Sequence, residues 1–259
     1  MRRKMINDKI IAAVLSLLVV LLVGSGCKKT EKVVHPQKVK RVASLIKVRP
    51  EFEERYIIIH KHTFPGVLKQ IYNVNIRNYS IFLKDGMLFS YFEYIGDDYA
   101  GDMQKIADET TREWWKLTDP MQEPLETRKE GEWWAEMEEV FHMDGMKKPS
   151  SQAVRHGQVI ELRPEYAEEY KKVHAEVWPG VLEQIQRSNI QNYSIFTKDG
   201  RLYAYYEYVG ADFAADMTLM KADTTTQRWW KLTDPMQAKI PTAAENEWWA
   251  EMREVFHTD

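Results

Sequence analysis

Cysteine is almost absent. Only Cys27 occurs in 259 residues, and a lone thiol excludes an internal disulfide and a Cys-based zinc site. An excess of positive charge is also missing. Lys and Arg number 36 against 39 Asp and Glu, for a net charge of −3, so the basic stripe that nucleic-acid binding requires is not there. No Gly-rich phosphate loop, nucleophile elbow or paired-carboxylate signature occurs. His62, His142, His156 and His257 show no metal-ligand spacing. Apolar runs are scarce: Ile10 to Val23, interrupted by Ser16, is too short for a confident membrane span. What is plentiful is aromatic surface. Nine Trp and thirteen Tyr are present, and adjacent Trp pairs need a reason because each indole N–H must be placed.

The first 27 residues have the layout of a targeting segment. Arg2, Arg3 and Lys4 precede the apolar run, which ends in Gly24-Ser25-Gly26-Cys27. Small residues before the only cysteine resemble the lipobox of bacterial lipoproteins. The resemblance implies cleavage before Cys27, a lipid on its thiol, and a location in the cell envelope, tethered to the periplasmic or surface face of a bacterial membrane. An uncleaved short anchor is the other reading, and it also places the domains outside the cytoplasm. Residues 28–40 are polar and basic and read as a linker.

From Arg41 the chain is written twice, with a period of about 115 residues. Asn78-Tyr79-Ser80-Ile81-Phe82 recurs as Asn192-Tyr193-Ser194-Ile195-Phe196, and Lys84-Asp85-Gly86 as Lys198-Asp199-Gly200. The block from Trp114-Trp115-Lys116 to Asp119-Pro120-Met121-Gln122 recurs from Trp229-Trp230-Lys231 to Asp234-Pro235-Met236-Gln237. Trp133-Trp134 recurs as Trp248-Trp249, and Glu139-Val140-Phe141-His142 as Glu254-Val255-Phe256-His257. This marks a duplicated small domain, at 41–144 and 154–259, rather than a solenoid, whose periods are shorter.

Each copy starts with a β-like run (Arg41 to Val48; Gly157 to Leu162) and a helix opened by Pro50 or Pro164. Two strands, Tyr79 to Leu83 and Leu88 to Ile95 in the first copy, flank an Asp-Gly turn, which is a strong hairpin signal. A second helix is expected from Asp98 to Leu117, and a last strand around Glu139 to His142. The order βαββαβ is ferredoxin-like, an α+β arrangement. Both helices cover one sheet face, so the other face needs a cover, commonly a twin sheet. The duplication supplies that twin within the chain.

Tyr56 and His60, like Tyr170 and His174, are spaced i, i+4 and share a helix face. Phe64 or Trp178 at i+8 continues the face before Pro65 or Pro179, which disturbs or redirects the helix. A core stripe has this spacing, and so does a small-molecule site built on an imidazole that works near neutral pH. In Trp114-Trp115 and Trp229-Trp230 the indoles point about 100° apart, so one is expected in the core and the other toward a pocket or interface. Trp133-Trp134 and Trp248-Trp249 read as packing or interface residues. Glu93 and Glu207 sit in apolar strands, where a carboxylate is partnered or on a wet face. It either orients the His or bonds a backbone group.

Taken together, Tyr-xxx-His-xxx-(Trp/Phe)-Pro, Asn-Tyr-Ser-Ile, Trp-Trp-Lys and Glu-Val-Phe, in this order in each repeat, resemble the L-rhamnose mutarotase family. The resemblance covers each repeat nearly end to end. It implies two tandem ferredoxin-like domains pairing as an intrachain dimeric α/β barrel. It implies an isomerase that exchanges the α and β anomers of a deoxyhexose such as L-rhamnose, without metal or organic cofactor. Its proton donor falls on His60 and His174, and its sugar contacts fall on Tyr56, Tyr79, Trp114, Trp115, Tyr170, Tyr193, Trp229 and Trp230. The chain departs from the family pattern at Gly66 and Gly180, where a polar residue is usual, at Phe64, and in Ile57-Ile58-Ile59. Two other functions fit the pattern of the residues: a non-catalytic sugar-binding lipoprotein, and a cofactor-free monooxygenase. The monooxygenase would not demand the Trp-Trp-Lys motif.

Overall fold

A computed structural model describes residues 39–145 and 152–259. The expected signal segment, Cys27 and all but the end of the linker lie outside the described residues. Among those described, no helix is long and apolar enough to cross a membrane.

The first repeat runs β1 (Lys40–Val48), α1 (Glu53–His60), α2 (Pro65–Asn73), β2 (Ile76–Lys84), β3 (Met87–Tyr94), α3 (Tyr99–Lys105), α4 (Glu109–Thr118), β4 (Gln122–Glu123), β5 (Ala135–Glu136) and β6 (Glu138–Met143). The second runs β7 (Val154–Leu162), α5 (Ala167–Ala175), α6 (Pro179–Arg187), β8 (Ile190–Lys198), β9 (Arg201–Tyr208), α7 (Phe213–Ala222), α8 (Thr224–Thr233), β10 (Gln237–Ala238) and β11 (Ala250–Thr258). Asp85-Gly86 and Asp199-Gly200 make the hairpin turns with positive φ at both positions, the primed-turn geometry that matches strand twist.

Two local expectations are corrected. The helix expected from Asp98 to Leu117 is two helices. Asp98 caps the first by accepting from the Gly101 N–H, and Asp108 caps a second by accepting from the Thr111 N–H. Phe64 and Trp178 do not continue the Tyr-His helix face. Each stands at the N-cap of the next helix, with the proline at its first position. Gly66 and Gly180 follow from this. A Cβ on Gly66 would stand 2.7 Å from the Thr110 methyl, and on Gly180 3.1 Å from that of Thr225, so glycine lets α2 and α6 approach α4 and α8.

The strands form a single antiparallel sheet in the order β4-β1-β3-β2-β11-β7-β9-β8-β6, and β5 returns to pair with β1. Each last strand is divided between the repeats. Residues 250–252 of β11 pair with β7 of their own repeat, while 253–258 pair with β2 of the other. Likewise β5 pairs with β1 and β6 with β8. The sheet therefore closes on itself, and neither repeat owns its fourth strand. Inside the barrel, Phe82, Phe89 and Tyr91 pack with Phe196, Tyr203 and Tyr205. Outside it, helices cover each half, and each helical layer includes a phenylalanine from the other repeat: Phe256 over the first and Phe141 over the second.

Gly157 is the tightest point of the seam. A Cβ there would lie 2.3–2.7 Å from ring carbons of Phe82. Gly157→Ala is expected to cost about 1–3 kcal/mol through overpacking, a fall in Tm on the order of 5 °C for a domain of this size. Thermal unfolding of the full chain checks it, and an unchanged Tm would show that the seam has slack.

Candidate functional site

Tyr56 and His60 end the first helix one turn apart, and their rings stack at 3.9 Å. His60 is only 8% exposed. Its Nδ1 lies 2.9 Å from the Tyr56 carbonyl oxygen. A carbonyl only accepts, so Nδ1 carries the hydrogen and Nε2 keeps a lone pair. Burial holds the imidazole down to about 4, against the weaker upward pull of that hydrogen bond. At neutral pH the ring is uncharged, with Nε2 as acceptor. The Trp114 indole meets it edge-on at 5.2 Å and Phe256 at 5.9 Å.

A cavity of about 370 Å³ opens on this histidine, lined by Tyr56, His60, Tyr79, Ile81, Trp114, Trp115, Thr118, Asp119, Gln122, Trp133 and Trp134. That volume and aromatic lining suit a small organic ligand. The structure thus brings together all five residues singled out in the first repeat: Tyr56, His60, Tyr79, Trp114 and Trp115. Trp114 is the more buried indole and packs edge-on to Phe64 at 5.2 Å, so Phe64 buttresses the wall without lining the cavity. The isoleucine run stays out of it: Ile57 is buried in the core and Ile58 faces solvent.

The reading of Trp133-Trp134 as packing is corrected, because both line the cavity. The Trp133 indole donates to Gln122 Oε1 at 2.8 Å, and Gln122 Nε2 donates to the Tyr56 hydroxyl at 3.4 Å. Since Tyr56 accepts from Gln122, its own O–H remains available to donate. Burial pushes its pKa well above the usual tyrosine value and that of Tyr79 up to about 12, so both stay protonated at neutral pH.

The second repeat reproduces these side-chain contacts. Tyr170 and His174 stack at 3.9 Å, Nδ1 donates to the Tyr170 carbonyl at 3.0 Å, and burial holds His174 down to about 4. Trp229 stands edge-on at 5.3 Å. The chain from Trp248 to Gln237 to the Tyr170 hydroxyl runs at 3.2 Å for each bond. Tyr193 packs edge-on to Phe141, which comes from the first repeat, and burial pushes it up to about 12. Trp230 lies half-buried against the same layer. One difference stands out: Trp178 replaces Phe64, and the Arg228 guanidinium lies 5.5 Å over its ring.

Glu93 and Glu207 belong elsewhere. Among the described residues, neither orients a site histidine nor bonds a backbone group. They meet at the seam, where Asn78 and Asn192 each donate to both carboxylates at 2.6–2.9 Å.

Gln122 and Asp119 went unassigned in the sequence, while Trp133 and Trp134 were read as packing or interface residues. A signal was available, since Asp119 and Gln122 lie in the block repeated around Asp234 and Gln237.

Comparison with known proteins adds the following. The family model described as L-rhamnose mutarotase matches twice, at residues 41–143 and 155–258. A protein of Lactiplantibacillus plantarum named L-rhamnose mutarotase is 35% identical over 109 residues, 41% of this chain and 99% of that protein. One of the same name from Bacillus subtilis is 31% identical over 112 residues, 40% of this chain and 98% of that protein. Among solved structures, a candidate monooxygenase of Fusobacterium nucleatum superposes with a TM-score of 0.52 at 14% identity. That match covers 85% of this chain and 94% of the other, a likeness of fold alone.

Proposed function

The chain belongs to the L-rhamnose mutarotase family, in two tandem copies, and on that premise we propose that it is an isomerase exchanging the α and β anomers of a deoxyhexose such as L-rhamnose. The observation that carries this reading is the single cavity on which a neutral imidazole, two tyrosine hydroxyls and the Trp pair converge, in the order of the family's motifs.

Anomer exchange consists of proton transfers. The O1–H proton leaves, the ring oxygen gains one, the C1–O5 bond opens, the aldehyde turns, and the steps reverse. His60, with a free lone pair on Nε2, is suited to take the O1 proton. Tyr56 has an O–H left to donate to a sugar oxygen, and the indole faces suit the C–H side of a pyranose. His174 and Tyr170 offer the same groups in the second repeat.

Saturation transfer between the anomeric protons of L-rhamnose, with and without protein, tests the reading. The expected result is faster exchange at catalytic amounts of protein. Binding without acceleration would replace this reading with the non-catalytic sugar-binding one.

A further inference from the structure

We infer that Gln122 is a positioning residue that sets the Tyr56 hydroxyl as a hydrogen-bond donor into the cavity, and that Gln237 sets the Tyr170 hydroxyl as a donor in the same way. The inference rests on the mutarotase reading and deepens it, because it names the residue that fixes the direction of one of the site's hydrogen bonds.

The direction is forced by what each group can do. An indole nitrogen only donates. The Trp133 N–H therefore engages Gln122 Oε1, at 2.8 Å, and the amide turns its Nε2 toward Tyr56. An amide nitrogen also only donates, so the Tyr56 oxygen, 3.4 Å away, accepts. The tyrosine hydrogen must then point elsewhere. Tyr56 lines the cavity, and among the described residues no protein group takes that hydrogen. Little else about Tyr56 can move. Its ring is fully buried and stacked on His60, and its carbonyl accepts from His60 Nδ1. Rotation of the hydroxyl is the freedom that remains, and Gln122 sets it.

Gln122 is itself held. It is buried, follows the 3-10 turn Asp119–Met121 and pairs with Val48 of β1. Its carbonyl accepts from Arg49 Nε at 3.2 Å. The residue is thus anchored in the sheet by its backbone and at Trp133 by its amide. Trp133 lines the cavity while 44% exposed, so the relay runs inward from the rim. Gln237 repeats these contacts. It pairs with Leu162, its carbonyl accepts from Arg163 Nε at 3.2 Å, and its amide joins Trp248 to the Tyr170 hydroxyl. A donor fixed before the sugar arrives needs no reorientation as charge develops on a sugar oxygen, and one such donor is worth about 10²–10³-fold in rate. The hydrogen stays on Tyr56 throughout, and the proton transfers remain with the histidine.

Two double variants test this. Gln122→Glu, Gln237→Glu keeps shape and both contacts, but a carboxylate only accepts, so it draws the tyrosine hydrogens away from the sugar. Gln122→Met, Gln237→Met removes both contacts and leaves the hydroxyls free to turn either way. Anomeric exchange of L-rhamnose is followed by saturation transfer at mildly alkaline pH, affinity by tryptophan fluorescence, and folding by circular dichroism. The expected result is exchange at saturating sugar lowered about 10²-fold by the glutamates and about tenfold by the methionines, with affinity within about threefold of wild type in both. A purely structural glutamine predicts the reverse order, since glutamate still bonds both neighbours and methionine bonds neither. A glutamate variant at least as active as the methionine variant would therefore overturn the assignment. So would losses of exchange matched by equal losses of affinity. Should the glutamate variant not fold, the methionine variant decides: lowered exchange at unchanged affinity supports the assignment, and exchange within about threefold of wild type removes it. A wild-type protein that does not accelerate exchange would instead remove the mutarotase reading itself.

Discussion

A His60→Gln, His174→Gln double variant is expected to lose about 10²–10⁴-fold in anomeric exchange, the usual share of one positioned acid/base group. Glutamine keeps a donor near the Tyr56 or Tyr170 carbonyl but removes the lone pair on Nε2. Single variants are expected to keep the activity of the intact repeat, because each site has its own histidine. A fully active double variant would strip the histidines of their role. The same substitution has a stability signature. Burial lowers both folded-state values from 6.5 to about 4. Between these values the unfolded chain binds more protons than the folded one, so wild-type stability falls as pH drops from about 6.5 toward 4. Removing both histidines removes their share of that slope. His142 and His257, whose values burial also lowers, contribute to the remainder. Urea midpoints at several pH values would show the difference, and parallel curves would mean that the imidazoles are not desolvated as described.

How far the residues could be read depended on range in sequence. The hairpins were legible because an Asp-Gly turn between alternating strands is a local instruction. The Tyr-His pair was legible because i, i+4 spacing is enforced by helix geometry. The end of the Tyr-His helix was less so: proline told of a break, but only tertiary packing against Thr110 and Thr225 explains why glycine follows. The division of each last strand between two repeats was not legible. Its pairings join residues such as Arg253 and Leu83, and nothing local in Ala250–Thr258 says which neighbour its second half takes. Trp133-Trp134 was misread for the same reason. The pair lies beyond the second helix, and only the path of the chain from Gln122 back to β5 carries it over the cavity. Asp119 was visible in the repeated block, but its place on the cavity wall appears only in three dimensions.

The seam network carries the other large effect. Tyr91 and Tyr205, one from each repeat, stack at 3.9 Å. Tyr91 donates to Asn192 Oδ1 at 3.1 Å, and Tyr205 to Asn78 Oδ1 at 2.9 Å. Both amides then donate to both Glu93 and Glu207, and Gln191 adds a bond to Glu207 at 2.9 Å. Glu207 is 2% exposed, so these donors stand in for lost water. Asn78 and Asn192 also sit at φ of 50° and 48°, where a strand register shifts and asparagine is better tolerated than alanine. Asn78→Ala, Asn192→Ala should therefore act twice. Depriving Glu93 and Glu207 of both amides, with Gln191 still bonded to Glu207, costs about 3–5 kcal/mol, and each alanine at positive φ adds about 1 kcal/mol. The total rivals the whole stability of an ordinary domain, about 5–15 kcal/mol. Because the network joins the repeats, the loss should appear as one cooperative transition, seen alike by tryptophan fluorescence and circular dichroism. The glycine pair Asn78→Gly, Asn192→Gly separates the two costs. It relieves the backbone but not the carboxylates, so it should recover only the smaller part. A urea midpoint unchanged in the alanine variant would mean that the asparagine amides do not hold the seam.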